Sequence, residues 1–177
     1  CSLLNVTITN VRLFRLKVII DVNYYIHSIS IIINKIMQNI IVTGGLGFIG
    51  SNLIELLLHK KFKVINIDKI TYSSNFYNTQ DYTKNSNYQF IKCDLNNKVN
   101  LSKIIFKYKP NGIFNLAAET HVDRSIDNPK NFINSNILGV FNLLEIFRKF
   151  SKINKKTRLI HISTDEVYGD ILKGRSH

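Results

Sequence analysis

Asp165 and Glu166 stand side by side in the run Ser163-Thr164-Asp165-Glu166-Val167-Tyr168-Gly169. Two carboxyl groups crowded beside a ligand acquire separated pKa values, one staying protonated as an acid and the other ionised as a base. Thr164 adds a hydroxyl able to orient a substrate oxygen. Spacing alone leaves a second reading open, an acidic turn that caps a helix, because Thr and Asp fill such turns freely. A different chemistry is written at residues 43–50, Thr-Gly-Gly-Leu-Gly-Phe-Ile-Gly. Gly45, Gly47 and Gly50 fit G-x-G-x-x-G, and Gly44, Gly47 and Gly50 fit the looser G-x-x-G-x-x-G. Glycines at that spacing allow a tight turn and a close approach of backbone to phosphate, with the pyrophosphate resting on free amides at a helix N-terminus.

The elements around these residues must place them together. Residues 39–43 read as a strand and 47–59 as the helix after the turn; residues 63–67 form the next strand, ending on Asp68. A carboxylate there accepts hydrogen bonds from ribose hydroxyls and repels a 2′-phosphate, which favours NAD over NADP. A merely structural turn with a surface aspartate is the competing reading, and the flanking strand and helix weigh against it. Residues 69–87 are polar and tyrosine-rich, a loop long enough to suggest function, with room for a short helix. Residues 88–93 form a third strand, followed by Asp94, and residues 99–108 a helix stopped ahead of Lys109-Pro110. A fourth strand covers residues 112–116. The small Ala117 and Ala118 after Leu116 leave room for a ligand beyond the carboxyl ends of the strands. Asp127-Asn128-Pro129 announces a helix over 129–150, with Phe132, Ile133, Ile137, Val140, Phe141, Leu144 and Phe147 as its apolar stripe. A basic loop at 152–157 leads to a fifth strand at 158–163. The alternation predicts an α/β fold, a doubly wound parallel sheet (Rossmann-like) truncated after about strand five, whose open edge invites aggregation.

Length and composition suit one globular domain: 177 residues, 45% apolar and 20% charged. The formal charge of +12 would ordinarily point to nucleic acid. The lysines are scattered without a run of five or six, so an anionic small substrate is expected and no nucleic-acid partner. Cys1 and Cys93 make neither a disulfide framework nor metal-ligand spacing, and Cys93 reads as a packed thiol in a reducing, cytoplasmic protein. His121, Asp123 and Arg124 form a polar cluster with no metal-spaced partners, which suits a structural role, and Tyr168 suits packing. Residues 1–36 show no sustained period. Arg12, Arg15 and Lys17 precede apolar residues that Asp21 interrupts at once, against a signal peptide. The uncharged stretch at 22–34 is too short to span a bilayer, so no membrane partner is expected. Residues 1–36 are therefore expected to be a non-native or disordered extension before Met37, with residues 37–177 forming the NAD-binding domain.

Four runs carry a family resemblance: TGGLGFIGS from Thr43, NIDKITY from Asn66, LAAETHVDRSI from Leu116 and HISTDEVYGD from His161. Residues 37–170 resemble the extended short-chain dehydrogenase/reductase family, and within it the dTDP-glucose 4,6-dehydratases. The resemblance implies that NAD contacts Phe48 and Ile49 in the turn, and Asp68, Lys69, Ile70 and Thr71 at the adenosine ribose. It implies that Asp94 and Leu95 flank the adenine, and that Leu116, Ala117, Ala118, Glu119, Thr120 and Ser135 line the inner site. Thr120 stands where the family commonly has serine and, with Thr164, is expected to touch the nucleotide-sugar substrate. The implied reaction oxidises the sugar at C4 by hydride transfer to NAD. Glu166 removes the C5 proton, Asp165 protonates the departing C6 hydroxyl, and the hydride returns to C6. Sugar-nucleotide 4-epimerases resemble the chain less at Asp165 and Glu166; a decarboxylase and a non-catalytic NAD-binding protein are further alternatives. No Tyr-x-x-x-Lys pair follows strand five, so the resemblance implies that these 177 residues have no turnover alone and that the parent enzyme is a homodimer. Thymidine and uridine nucleotides stay undistinguished.

Overall fold

The computed structural model describes residues 4–8, 17–20, 39–121, 126 and 129–164. Its strands are β1 (Leu4–Ile8), β2 (Lys17–Ile20), β3 (Asn39–Thr43), β4 (Lys63–Asp68), β5 (Tyr88–Lys92), β6 (Gly112–Asn115) and β7 (Arg158–Thr164). They form one sheet in the order β2-β1-β7-β6-β3-β4-β5. The five strands from β3 to β7 are parallel. Helices α1 (Phe48–His59), α2 (Lys98–Tyr108) and α4 (Val140–Ile153) cross between them. A 3-10 helix spans Phe76–Tyr82 within the loop after β4. This is the Rossmann-like architecture expected, with the strand order reversing between β3 and β6.

The strands are apolar on both sides because helices cover both faces. Ile41, Ile65, Ile67, Ile113 and Leu159 face α2 and α4 through Leu101, Ile105, Leu143 and Phe147. Ile40, Val42, Val64, Phe114 and Ile160 face α1 through Leu53, Ile54 and Leu57. Each such side chain, fully buried, contributes about 1.5–3 kcal/mol. The two layers clamp the sheet, so the loops at its carboxyl edge are held by a rigid frame.

One expectation needs correction. The helix foreseen at 129–150 is composite: α3 (Pro129–Phe132), a π-wound stretch (Ile133–Gly139) and then α4. The extra residue in the π turn changes the phase of the apolar pattern. Leu143, Ile146, Phe147 and Phe150 are the residues that reach the core, whereas Ile133, Ile137, Phe141 and Leu144 lie exposed. Helix α2 stops at Tyr108, ahead of Lys109-Pro110 as expected, with Lys109 left-handed (φ 45°). Residues 4–8 and 17–20, within the stretch expected to be a non-native or disordered extension, are strands of the sheet. β1 runs antiparallel along β7, from Leu4 opposite Thr164 to Ile8 opposite Ile160, and β2 pairs with β1. An edge strand with unpaired amides and carbonyls is a template for such an addition. Among the described residues no helix is long and apolar enough to cross a membrane.

Candidate functional site

The glycine turn leaves β3 through Gly44, whose φ of +70° is costly for any residue with a Cβ. A Cβ there would stand 2.7 Å from the Ala117 nitrogen and 2.8 Å from the Leu116 carbonyl carbon, so the turn lies flush against the loop after β6. Gly50 is needed for the same reason one turn later: a side chain would strike the Gly44 carbonyl oxygen. Gly47, the N-cap of α1, carries no side-chain cap, and the first turn holds no acidic residue. The amides of Phe48 and Ile49 therefore have no intrahelical acceptor at the positive end of the helix dipole, where an anion binds. The loop after β4 holds this turn in shape. Leu46 N–H donates to Asp68 Oδ2 at 3.1 Å, and the Leu46 carbonyl accepts from Asn75 N–H and from Asn78 Nδ2, each at 3.1 Å.

A cleft enclosing about 90 Å³ runs along the carboxyl edge of the sheet. Asp68 is nearly buried on one wall, its Oδ1 accepting from Ile70 N–H at 2.8 Å and Ser74 Oγ at 2.9 Å. Ile70 is left-handed (φ 64°), an unfavourable state for a β-branched residue that the bond to Asp68 helps to hold. Asp94 accepts from Asn96 N–H at 2.8 Å and from its Nδ2 at 3.1 Å. The same Asn96 amide also donates to the Asn134 carbonyl at 2.9 Å, in the π-wound stretch whose wider turn disturbs the helical ladder. Next along that stretch, Ser135 Oγ lies 2.6 Å from Lys69 Nζ. Lys69 also pairs with Glu119 Oε1 at 3.1 Å. Asn136 then holds Glu119 by its backbone, accepting from its N–H at 2.9 Å and donating to its carbonyl at 2.8 Å. The π turn thus ties together the loops that follow β4, β5 and β6. Cys93 sits in the cleft floor with its thiol pKa pushed up, first by burial and then by the Asp94 charge.

Beneath the cleft, a polar chain links three strands. Thr43 Oγ1 donates to Asn115 Oδ1, and Asn115 Nδ2 donates to His161 Nδ1 at 2.9 Å. Because an amide nitrogen only donates, this arrangement puts the His161 proton on Nε2. Burial lowers the imidazole pKa.

Gly44, Gly47, Asp68, Lys69, Thr71, Asp94, Leu95, Leu116, Ala117, Ala118 and Ser135 all line the cleft. The structure brings these anticipated residues together from four separate loops and one helix. Phe48 and Ile49 turn their side chains outward, Phe48 being 83% exposed, so only their backbone is available to a ligand in the turn. Gly50 is buried beneath the turn, Ile70 sits behind Asp68, and Glu119 meets the cleft through Lys69. Thr120 is exposed beyond the cleft lining, and His121 packs its ring against Tyr72 at 5.5 Å. Thr164 ends β7 at this same edge, because β6 and β7 are parallel. Asp165 and Glu166 lie outside the described residues, as do Asp123, Arg124 and Tyr168. Sequence reasoning did not single out Ser73, Ser74, Asn96 or Asn136. In an asparagine-rich chain, no single asparagine carries contrast; the polar loop at 69–87 was the one signal available for the serines.

An open α/β sheet with a glycine turn, an uncapped helix and a cleft at its switch point defines a dinucleotide-binding class of protein. A family model described as GDP-mannose 4,6 dehydratase matches residues 41–176, and the chain belongs to that family. It is 45% identical over 141 residues to a dTDP-glucose 4,6-dehydratase of Haemophilus influenzae, covering 76% of this chain and 42% of that relative. It is 41% identical over 141 residues to the one from Neisseria meningitidis, covering 76% and 40%. The chain thus spans about two fifths of the length of these curated relatives. Among solved structures, a dTDP-glucose 4,6-dehydratase from Bacillus anthracis in complex with NAD aligns with a TM-score of 0.65 and 37% identity, over 79% of this chain and 42% of that one. A Thermus thermophilus UDP-glucose 4-epimerase complex with NAD aligns with a TM-score of 0.57 and 29% identity, over 64% and 34%.

Proposed function

We propose that this chain is the NAD-binding part of a dTDP-glucose 4,6-dehydratase, which removes water from the sugar to leave a 4-keto-6-deoxy product. One observation carries the cofactor reading. The glycine turn, Asp68, Asp94 and the Ala117-Ala118 backbone, far apart in sequence, line a single cleft at the sheet's switch point. The residues fit the group: the first-turn amides of α1 suit a pyrophosphate, and Gly47, where even a Cβ would meet only the Gly44 carbonyl oxygen at 3.4 Å, leaves the turn open to one. Bound there, NAD supplies a reversible hydride acceptor.

The protein's own residues do the rest. Asp68 accepts the ribose hydroxyls and, being anionic, disfavours a 2′-phosphate. Thr164 orients the sugar's C4 oxygen from the end of β7. Glu166 acts as the base at C5 and Asp165 as the acid for the departing C6 hydroxyl, each positioned proton transfer being worth roughly 10²–10⁴-fold. The free thiol of Cys93 suits a reducing compartment, and we place the protein in the cytoplasm. Exposed Ile137 in the π-wound stretch and Phe141 and Leu144 on α4 suit a second copy of the chain, a homodimer that light scattering would register as a doubled mass.

The functional test is incubation of the protein, extended to the length of its relatives, with NAD and either dTDP-glucose or UDP-glucose. Loss of one water from dTDP-glucose by mass spectrometry, abolished by Glu166→Gln, is the expected result. An epimerised sugar of unchanged mass would contradict the dehydratase reading.

A further inference from the structure

Asp68 and Lys69 are adjacent, yet they have opposite preferences for the group on the adenosine 2′ oxygen. A carboxylate accepts a hydroxyl proton and repels phosphate, whereas an ammonium attracts phosphate. Thr71, Ser73 and Ser74 line the same wall of the cleft and offer hydroxyls. A 2′-phosphate placed there would face the Asp68 carboxylate and would need a cation to offset it. Lys69 is close enough in sequence to serve, but its Nζ is committed elsewhere, 2.6 Å from Ser135 Oγ and 3.1 Å from Glu119 Oε1. The Glu119 side chain is only 10% exposed, against 32% for Lys69, so this pair is shielded better than a surface salt bridge. Glu119 is also pinned, since Asn136 takes up both its backbone N–H and its carbonyl.

We propose that Glu119 determines cofactor specificity at a distance: by holding Lys69 toward Ser135 it denies a 2′-phosphate its cation and keeps the cleft selective for NAD over NADP. This rests on the NAD reading above. Glu119 acts through Lys69 and is in that sense a positioning residue. Lys69 follows the residue that receives the ribose, and its four-carbon stem is flexible enough to swing once released.

The test is fluorescence titration of the 177-residue chain with NADH and with NADPH, for the wild type, Glu119→Gln, Lys69→Met and the double variant. The readout is the ratio of the NADPH to the NADH dissociation constant, which a general loss of cleft structure does not shift in a charge-specific way. In Glu119→Gln the ratio is expected to fall on the order of tenfold, the scale of one charge-assisted bond to phosphate. The gain should shrink with added salt. In the double variant the ratio returns to the wild-type value or above. Should Glu119→Gln fail to fold, Ser135→Ala removes the other anchor of Lys69 and is expected to move the ratio the same way by less. A ratio unmoved in the folded single variants, or a gain that survives Lys69→Met, overturns the proposal. Wild-type chain that binds NADH with an unmoved ratio removes only the specificity role, whereas chain that binds neither nucleotide removes the NAD reading and this inference with it.

Discussion

The loops leaving the parallel strands carry Asp68, Asp94 and Glu119, while the loops entering them at the opposite edge carry cations. Lys60, Lys61 and Lys63 precede or open β4, Lys84 precedes β5, Lys107 and Lys109 precede β6, and Lys155 and Lys156 precede β7. These eight lysines, scattered in sequence, are gathered by the topology at one edge, whereas Lys69, Lys92 and Lys98 lie at the other. Helix C-termini end at that second edge, where partial negative charge favours cations, and helix N-termini open at the first, where it favours anions. The comparison separates net charge from binding chemistry. Part of the formal charge of +12 lies at the edge away from the cleft, and the cleft itself offers an anion chiefly backbone amides and hydroxyls.

Substitutions at the two edges should therefore have unlike consequences. The largest effect is expected at Gly44→Ala, which forces a Cβ into a left-handed residue and against the Ala117 backbone. The strain of about 1–2 kcal/mol adds to an overpacking cost of about 1–3 kcal/mol, so urea unfolding should show roughly 3 kcal/mol lost, together with NAD binding. Wild-type stability in that variant would mean that the turn is not pressed against the β6 loop.

An intermediate effect belongs to the polar chain under the cleft. Burial holds the His161 imidazole below its ordinary pKa of 6.5. The unfolded chain then binds a proton that the folded chain refuses, so this group's contribution falls as pH drops below about 6.5 and is level above it. Melting temperature should decline from pH 7.5 to pH 5.5, and His161→Gln should flatten that decline. An identical slope in the variant would show that the histidine is not buried neutral.

The smallest effect is expected at the cationic edge. Lys61 occupies the left-handed position after α1 (φ 65°), with its N–H on the Leu58 carbonyl and Phe62 N–H on the Leu57 carbonyl. Glycine is the favoured residue in that helix-ending motif. Lys61→Gly should raise stability by about 0.5–1 kcal/mol and leave NAD affinity unchanged. Altered affinity would blur the separation of the two edges.

Much of this was legible because the governing signals are local. Runs such as Ile40-Ile41-Val42 and Val64-Ile65, buried on both faces, announce parallel strands, and the Gly44–Gly50 turn and Asp68 announce the cradle. The observed β3 and β4 begin at Asn39 and Lys63, as the sequence predicts. What stayed hidden depends on contacts distant in sequence. Asn136 recognises Glu119 across 17 residues and Lys69 reaches Ser135 across 66, through residue types common throughout the chain. The π turn is hidden for another reason: the apolar pattern at 132–147 is compatible with an unbroken α-helix, and the bonds at Asn134 to Asn136 accompany the wider winding. The pairing of β1 with β7 likewise reflects an available edge more than any feature of residues 4–8.

The central claim is that the carboxyl edge of the sheet, and not the cationic edge, receives the dinucleotide. Amide NMR of the chain during NAD titration tests it directly. The expected result is saturable shifts at Gly44, Gly47, Phe48, Ile49, Asp68 and Ala117, with residues 59–63 and 107–111 unmoved. Shifts concentrated at those lysine-bearing loops, or no saturable shift at the glycine turn, would contradict it.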